Sequence, residues 1–280
     1  MLTLVLASPG AAGAQAGDDG PGELLNAIDR EATERSQVRE LAQVLLDSIG
    51  PRLTGTPGMQ AANDWAVSKY RQWGIDARNE QYGSWRGWKR GITHVDLLQP
   101  RVRSLQATML AWSAGSGGAR TGEAVLFPQV SDRAALERWI AGAAGKIVLV
   151  DPAEITCRPL ENWRQWARPE TVEQLEAERE AWSAEWTARM RASGVPGAEI
   201  VRLMEEAGVA AIFTSHWSEG WGVSKIYDAG SEVIPYINLG CEDYGLVFRL
   251  AKNGQAPVLR VEAEAERLGE VPVYNTIATL

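Results

Sequence analysis

The chain has 280 residues, 45% of them hydrophobic and 23% charged, proportions that exclude disordered and fibrous classes and suffice for one large or two ordinary domains. The formal net charge is minus 8 with no block of Lys and Arg, which argues against a nucleic-acid partner, because phosphate recognition is built on clustered positive charge. The two cysteines, Cys157 and Cys241, are too few for a disulfide framework or a zinc ribbon; one bridge between them and two separate thiols both fit the sequence.

Met1 to Ala16 carries no charged side chain and runs from an apolar stretch, Leu2 to Ala7, into Ala14-Gln15-Ala16. That small-x-small ending predicts an export signal over residues 1–16, although the opening Lys or Arg of such signals is missing. No later stretch reaches the roughly 18 apolar residues of a membrane span, so a soluble, exported protein is expected, periplasmic or extracellular. Beyond the Gly- and Asp-rich joint at Gly17 to Gly22, Val38, Leu41, Ala42, Leu45 and Ile49 share one helix face, and Gly50-Pro51 ends that helix. Thr56 and Pro57 are placed to open a second helix, with Met59, Ala62, Trp65, Ala66, Tyr70 and Trp73 as its buried stripe and Gly74 as its close.

From Ile75 the pattern turns extended. Strands are expected at Ile75 to Tyr82, Ile92 to Gln99, Leu105 to Trp112 and Gly122 to Pro128, with Gly, Pro and Ser turns between them. A helix follows at Ser131 to Ala141, and then Lys146-Ile-Val-Leu-Val150, an apolar run typical of a strand buried on both faces. Residues 159–193, with Trp163, Trp166, Trp182 and Trp186 among Glu, Arg and Ala, have the helix propensity of an inserted segment. A helix at Gly197 to Ala207, a short strand at Val209 to Phe213 and a Gly- and Trp-rich loop from Ser215 to Ala229 come next. Strands at Val233 to Leu239 and Val258 to Ala263 flank a helix at Glu242 to Lys252, and the chain closes on the strand-like Val271 to Leu280. The fold class is α/β.

Four separated stretches resemble one family. Pro51-Arg-Leu-Thr-Gly-Thr56 is similar to a loop near the start of zinc exopeptidases of the aminopeptidase Y and glutamate carboxypeptidase type, carboxypeptidase Q-like members included. Gly145-Lys-Ile-Val-Leu-Val150, Glu205-Glu-Ala-Gly-Val-Ala-Ala-Ile-Phe213 and the run from Ile234 through Glu242-Asp243 resemble the protease-associated (PA) domain inserted in many of them. Tyr274-Asn-Thr-Ile-Ala-Thr-Leu280 resembles the strand that re-enters the peptidase domain. The resemblance implies a peptidase-domain part at 17–90, a PA-like insert at 91–268 and a returning strand at 269–280. In that family the two zinc ions are held by a His-x-Asp, a further Asp, a Glu-Glu pair and a late His, all following the returning strand. This chain is therefore expected to hold no metal and no catalytic residue itself, and to be inactive alone; the complete enzyme would act on peptides and allows a homodimer.

Residues that mimic those motifs are read as scaffold. His94-Val95-Asp96 has the His-x-Asp form, and residues two apart on a strand share a face, but a catalytic zinc needs about three protein ligands and the only other histidine is His216. Ser215-His216 and Gly115-Ser116-Gly117 lack the layout of a nucleophile and its base. Glu205-Glu206 is read as a solvated helix face, Glu242-Asp243 as first-turn acids favoured by the helix dipole, and Glu161, Glu170, Glu173, Glu176, Glu178 and Glu180 as a charged helix face. Trp85 and Trp88, expected to flank a turn, and Trp217 and Trp221 either pack under loops or form a ligand platform. By the resemblance, Trp217, Glu219 and Trp221 are the candidate substrate-cleft loop. Two other readings are open: a non-catalytic receptor or interaction module of the same fold, and a Trp-rich carbohydrate- or peptide-binding protein.

Overall fold

The computed structural model describes residues 21–280; the export signal expected at 1–16 lies outside them. Residues 21–51 belong to one compact unit and residues 52–280 to another. In the first, α1 (Pro21–Glu34) is followed by α2 (Val38–Gln43), which widens into a π-helical stretch at Val44–Ile49. Gly50, at φ 76°, ends it as the sequence predicts.

The second unit opens with a capped helix, α3 (Pro57–Gln72). The Thr56 hydroxyl accepts a hydrogen bond from the Met59 N–H at 3.3 Å, and Pro57 occupies the first turn, where no N–H is needed. Then comes the main departure from expectation. The two strands expected over 75–99 are one strand, β1 (Asp76–Gln99), and the two expected near the end of the chain are also one, β8 (Val258–Thr279). They pair antiparallel along nearly their whole length, from Asp76 opposite Thr279 to Gln99 opposite Val258. The glycines that look like turn residues are sites of close approach. A Cβ on Gly87 would stand 2.7 Å from the Val271 side chain and 2.9 Å from that of Leu268, and the register shifts there.

β2 (Arg103–Leu105), β3 (Ala107–Met109), β4 (Arg120–Leu126), β5 (Ile147–Leu149), β6 (Ala211–Thr214) and β7 (Tyr236–Leu239) complete one sheet of order β2-β1-β8-β4-β5-β6-β7-β3. Its centre, β4-β5-β6-β7, is parallel, and the two apolar runs expected to be buried strands supply β5 and β6, in which every residue is buried. Five helices connect the strands: α4 (Arg133–Ala141), α5 (Leu160–Trp166), α6 (Pro169–Arg191), α7 (Gly197–Glu206) and α8 (Cys241–Lys252). The Trp-rich segment is tied to the core through α6. Trp182 and Trp186 pack on Phe248 of α8 at ring distances of 6.2 and 5.6 Å, and their indole N–H groups donate to the carbonyls of Ala153 and Val150 at 2.8 Å. A Cys157–Cys241 disulfide, the bridged alternative, fixes the segment just before α5 to the start of α8.

The loop before α3 docks on the ribbon at Gly55. This residue has φ 74°, its carbonyl accepts from the Trp88 N–H at 3.1 Å, and a Cβ on it would lie 2.7 Å from the Arg86 carbonyl oxygen. Both conformation and space thus require glycine. Gly55→Ala is expected to lower unfolding free energy by about 2–4 kcal/mol, the left-handed strain and the overlap acting together. An unchanged denaturant midpoint would contradict this contact.

Candidate functional site

Parallel strands joined in sequence need a crossover, and between β6 and β7 that crossover is residues 215–235, with no helix in it. It starts at the carboxyl ends of the parallel strands, where open α/β sheets commonly bind ligands. β5 and β6 run side by side, so Asp151, just past β5, meets Ser215 and His216, just past β6. The Ser215 N–H donates to Asp151 Oδ2 at 2.9 Å, His216 Nε2 lies 3.7 Å from the same oxygen, and the His216 N–H donates to Asn238 Oδ1 at 2.6 Å. The His216 ring packs beside Tyr227 at 5.2 Å.

Burial pushes the Asp151 carboxyl above the usual range, against the lowering effects of the Ser215 N–H and of His216. The hydroxyls of the half-buried Tyr236 and the buried Tyr244 are pushed up too, first by loss of solvent and next by the Asp151 charge. An acid with a raised folded-state pKa favours folding while protonated. The stability it gives is full below the unfolded value of about 3.9 and is lost as pH rises through the folded value. Asp151→Asn keeps an acceptor for Ser215 and carries no charge, so its stability relative to wild type is expected to improve as pH climbs through that window. Denaturant unfolding at a series of pH values reads this, and a constant difference would contradict it.

Beyond His216 the loop makes a tight excursion. The Ser218 N–H donates to the Val223 carbonyl at 3.0 Å, Trp217 Nε1 donates to the Gly220 carbonyl at 2.7 Å, and Glu219 takes the left-handed conformation, φ 64°. Its return is anchored by Arg86, which bonds Asp228 at 3.0 Å and Glu232 at 2.7 Å. At the tip, a groove of about 520 Å³ opens against α5, lined by Leu160, Glu161, Asn162, Gln165, Glu219 and Trp221 among others. Trp221 is 64% exposed there, whereas Trp217 lies half-buried with the Arg179 guanidinium 5.3 Å from its ring centre. Behind the tip, burial pushes the Glu154 carboxyl up; Arg179 opposes the shift and the Glu219 charge adds to it.

The structure therefore brings together Trp217, Glu219 and Trp221 and adds Asp151, Glu154, Glu161 and Arg179, which sequence reasoning did not place at the site. A polar residue directly after a buried parallel strand, as at Asp151, was the available signal. Elsewhere the motif mimics make local hydrogen bonds and ion pairs. His94 Nε2 lies 3.0 and 3.1 Å from the Asp96 oxygens, and the Ser104 hydroxyl also donates to Asp96. Among the described residues no three or more His, Cys, Asp or Glu side chains are grouped to hold a metal ion, so the residues present do not fit a zinc pair. Glu205 accepts from Ser231 at 2.5 Å and Glu206 pairs with Arg202. The Ser116 hydroxyl bonds the Ala263 backbone, and the Ser215 hydroxyl is buried without a hydrogen bond, which leaves no nucleophile–base contact. Two readings need correction. Trp88 flanks no turn: it is a core side chain within β1, its Nε1 donating to the Ser113 carbonyl at 3.0 Å, and Trp85, in the same strand, is exposed. Asp243 is more than a first-turn acid. It is buried and accepts from Arg103 and from the Gln106 N–H, both at 2.7 Å, which pins the β2–β3 segment to α8.

No protein-family model matches the chain. It is similar to carboxypeptidase Q of Mus musculus, 22% identical over 238 residues that cover 85% of this chain and 44% of that protein. With carboxypeptidase Q of Homo sapiens it shares 23% identity over 254 residues, 91% of this chain and 47% of that one. The chain thus spans about half the length of the curated relatives it matches. Among solved structures, a Peptidase M28 precursor from Shewanella amazonensis SB2B matches with a TM-score of 0.55 and 22% identity, over 91% of this chain and 53% of that one, which shows the shared α/β fold. These relatives, a carboxypeptidase Q and an M28 peptidase, are of the zinc exopeptidase type that the four stretches resemble.

Proposed function

We propose that this chain, similar through most of its length to about half of carboxypeptidase Q, is the scaffold-and-cleft portion of an exported zinc exopeptidase. In such an enzyme a zinc pair would supply Lewis-acid chemistry for hydrolysis at a chain end, and the described residues of this chain group no set of ligands that would hold it. The residues of this chain shape and wall the approach to that centre. Its similarity to carboxypeptidase Q is the observation that carries this reading. The loop through Trp217, Glu219 and Trp221 supports it, because an anchored loop at the carboxyl end of a parallel sheet, with an exposed aromatic at its tip, can serve as a cleft wall. The Cys157–Cys241 bridge suits the oxidising compartment that export reaches, and no helix among the described residues is long and apolar enough to cross a membrane.

The test is hydrolysis by the product of the complete reading frame containing these residues, loaded with zinc and given a series of short peptides. Mass spectrometry should show residues removed from one chain end, and the truncation ladder identifies which end. Absence of cleavage, or internal cleavage alone, would overturn the proposal.

A further inference from the structure

We propose that the groove between α5 and the tip of the Ser215–Asp228 loop docks a basic side chain, lysine or arginine, of a peptide. This rests on the peptidase reading and deepens it by naming the kind of residue the cleft wall prefers. The groove presents Trp221 and two carboxylates, Glu161 and Glu219, on one surface. Its one lining guanidinium, Arg164, is engaged by Glu176 at 2.7 Å. Among the described residues no ion pair neutralises Glu161 or Glu219. A third carboxylate, Glu154, stands behind the tip close enough to feel the charge of Glu219, and Arg179, 3.9 Å from Glu154, is the cation that faces it.

The occupant follows from charge complementarity. An acidic side chain would be repelled, and an apolar one would cover Trp221 while leaving the carboxylates without a counter-charge. A lysine or arginine lays its methylene stem along the indole and sets its cation near the ring face and the acids at once. The wall is already built: the bonds from Trp217 to Gly220 and from Ser218 to Val223 hold the tip, so little ordering is needed on binding.

Calorimetric titration of this chain with blocked tripeptides, acetyl-Gly-Lys-Gly-amide against its norleucine and glutamate counterparts, tests the proposal. The lysine peptide is expected to bind about tenfold tighter than the norleucine one, and its affinity to fall as salt rises from about 20 to about 200 mM. Trp221→Ala should weaken it about fivefold, and Glu161→Gln and Glu219→Gln about threefold each. All three side chains are exposed, so the fold tolerates their replacement. Equal binding of the lysine and norleucine peptides, or unchanged affinity in Trp221→Ala, would overturn it. Binding is read here without catalysis. Chain-end hydrolysis by the complete product that ignores basic residues would therefore sink this inference and leave the peptidase reading standing.

Discussion

Trp88→Ala is expected to cost the 52–280 unit about 3–5 kcal/mol, the range for deleting a large aromatic from a packed core. The indole is 2% exposed and stands where β1 leaves the central sheet for the outer ribbon. Three contacts converge on the residue. Its Nε1 donates to the Ser113 carbonyl at 3.0 Å, its backbone N–H donates to Gly55, and the Arg90 guanidinium lies 5.3 Å from its ring centre. Truncation opens a cavity and leaves a carbonyl without its partner, and these costs add. Trp88→Phe should recover most of the packing and none of the indole hydrogen bond. Unfolding midpoints in the order wild type, Phe variant, Ala variant check the account; an Ala variant within about 1 kcal/mol of wild type would place Trp88 outside the core.

The second large effect is expected from the disulfide. Cys157 and Cys241 are 84 residues apart in sequence, so the bridge restricts a long loop of the unfolded chain, worth about 4.5 kcal/mol in the chain-entropy description. Between them lie α5, α6 and α7, the Ser215–Asp228 loop and the strands β6 and β7. Cys157→Ala with Cys241→Ala, or reduction of the native chain, should lower stability by about 2–5 kcal/mol and loosen α5 first, since α5 follows Cys157 directly. Hydrogen exchange reports this residue by residue. Uniform protection across α5 in oxidised and reduced protein would show that the Trp182 and Trp186 contacts hold the segment unaided.

Features carried by local chemistry were legible in the sequence. The cap at Thr56 and Pro57, the glycine ending at Gly50 and the apolar runs of β5 and β6 each stand where their residues indicate, because caps and fully buried strands are set by a few adjacent side chains. What escaped was set by partners far along the chain. Gly87 resembles turn punctuation until Val271 is seen against it, and the continuity of β1 depends on β8 lying alongside. Asp243 looks like an ordinary first-turn acid until Arg103 and Gln106 fold onto it. The candidate site divides the same way: Trp217, Glu219 and Trp221 lie in one stretch of sequence and could be named together, but Asp151, Glu154, Glu161 and Arg179 reach them only through the fold.

If these residues form the scaffold and cleft wall of a zinc exopeptidase, the described residues, which group no set of metal ligands, should not hold the ion tightly. Calorimetric titration of the purified chain with zinc at neutral pH tests this most directly. The account predicts no tight, stoichiometric binding, and no loss of any weak heat on His94→Ala. A one-to-one or two-to-one site of high affinity, abolished by His94→Ala or Asp96→Ala, would contradict it and make the His94–Asp96 pair a metal centre.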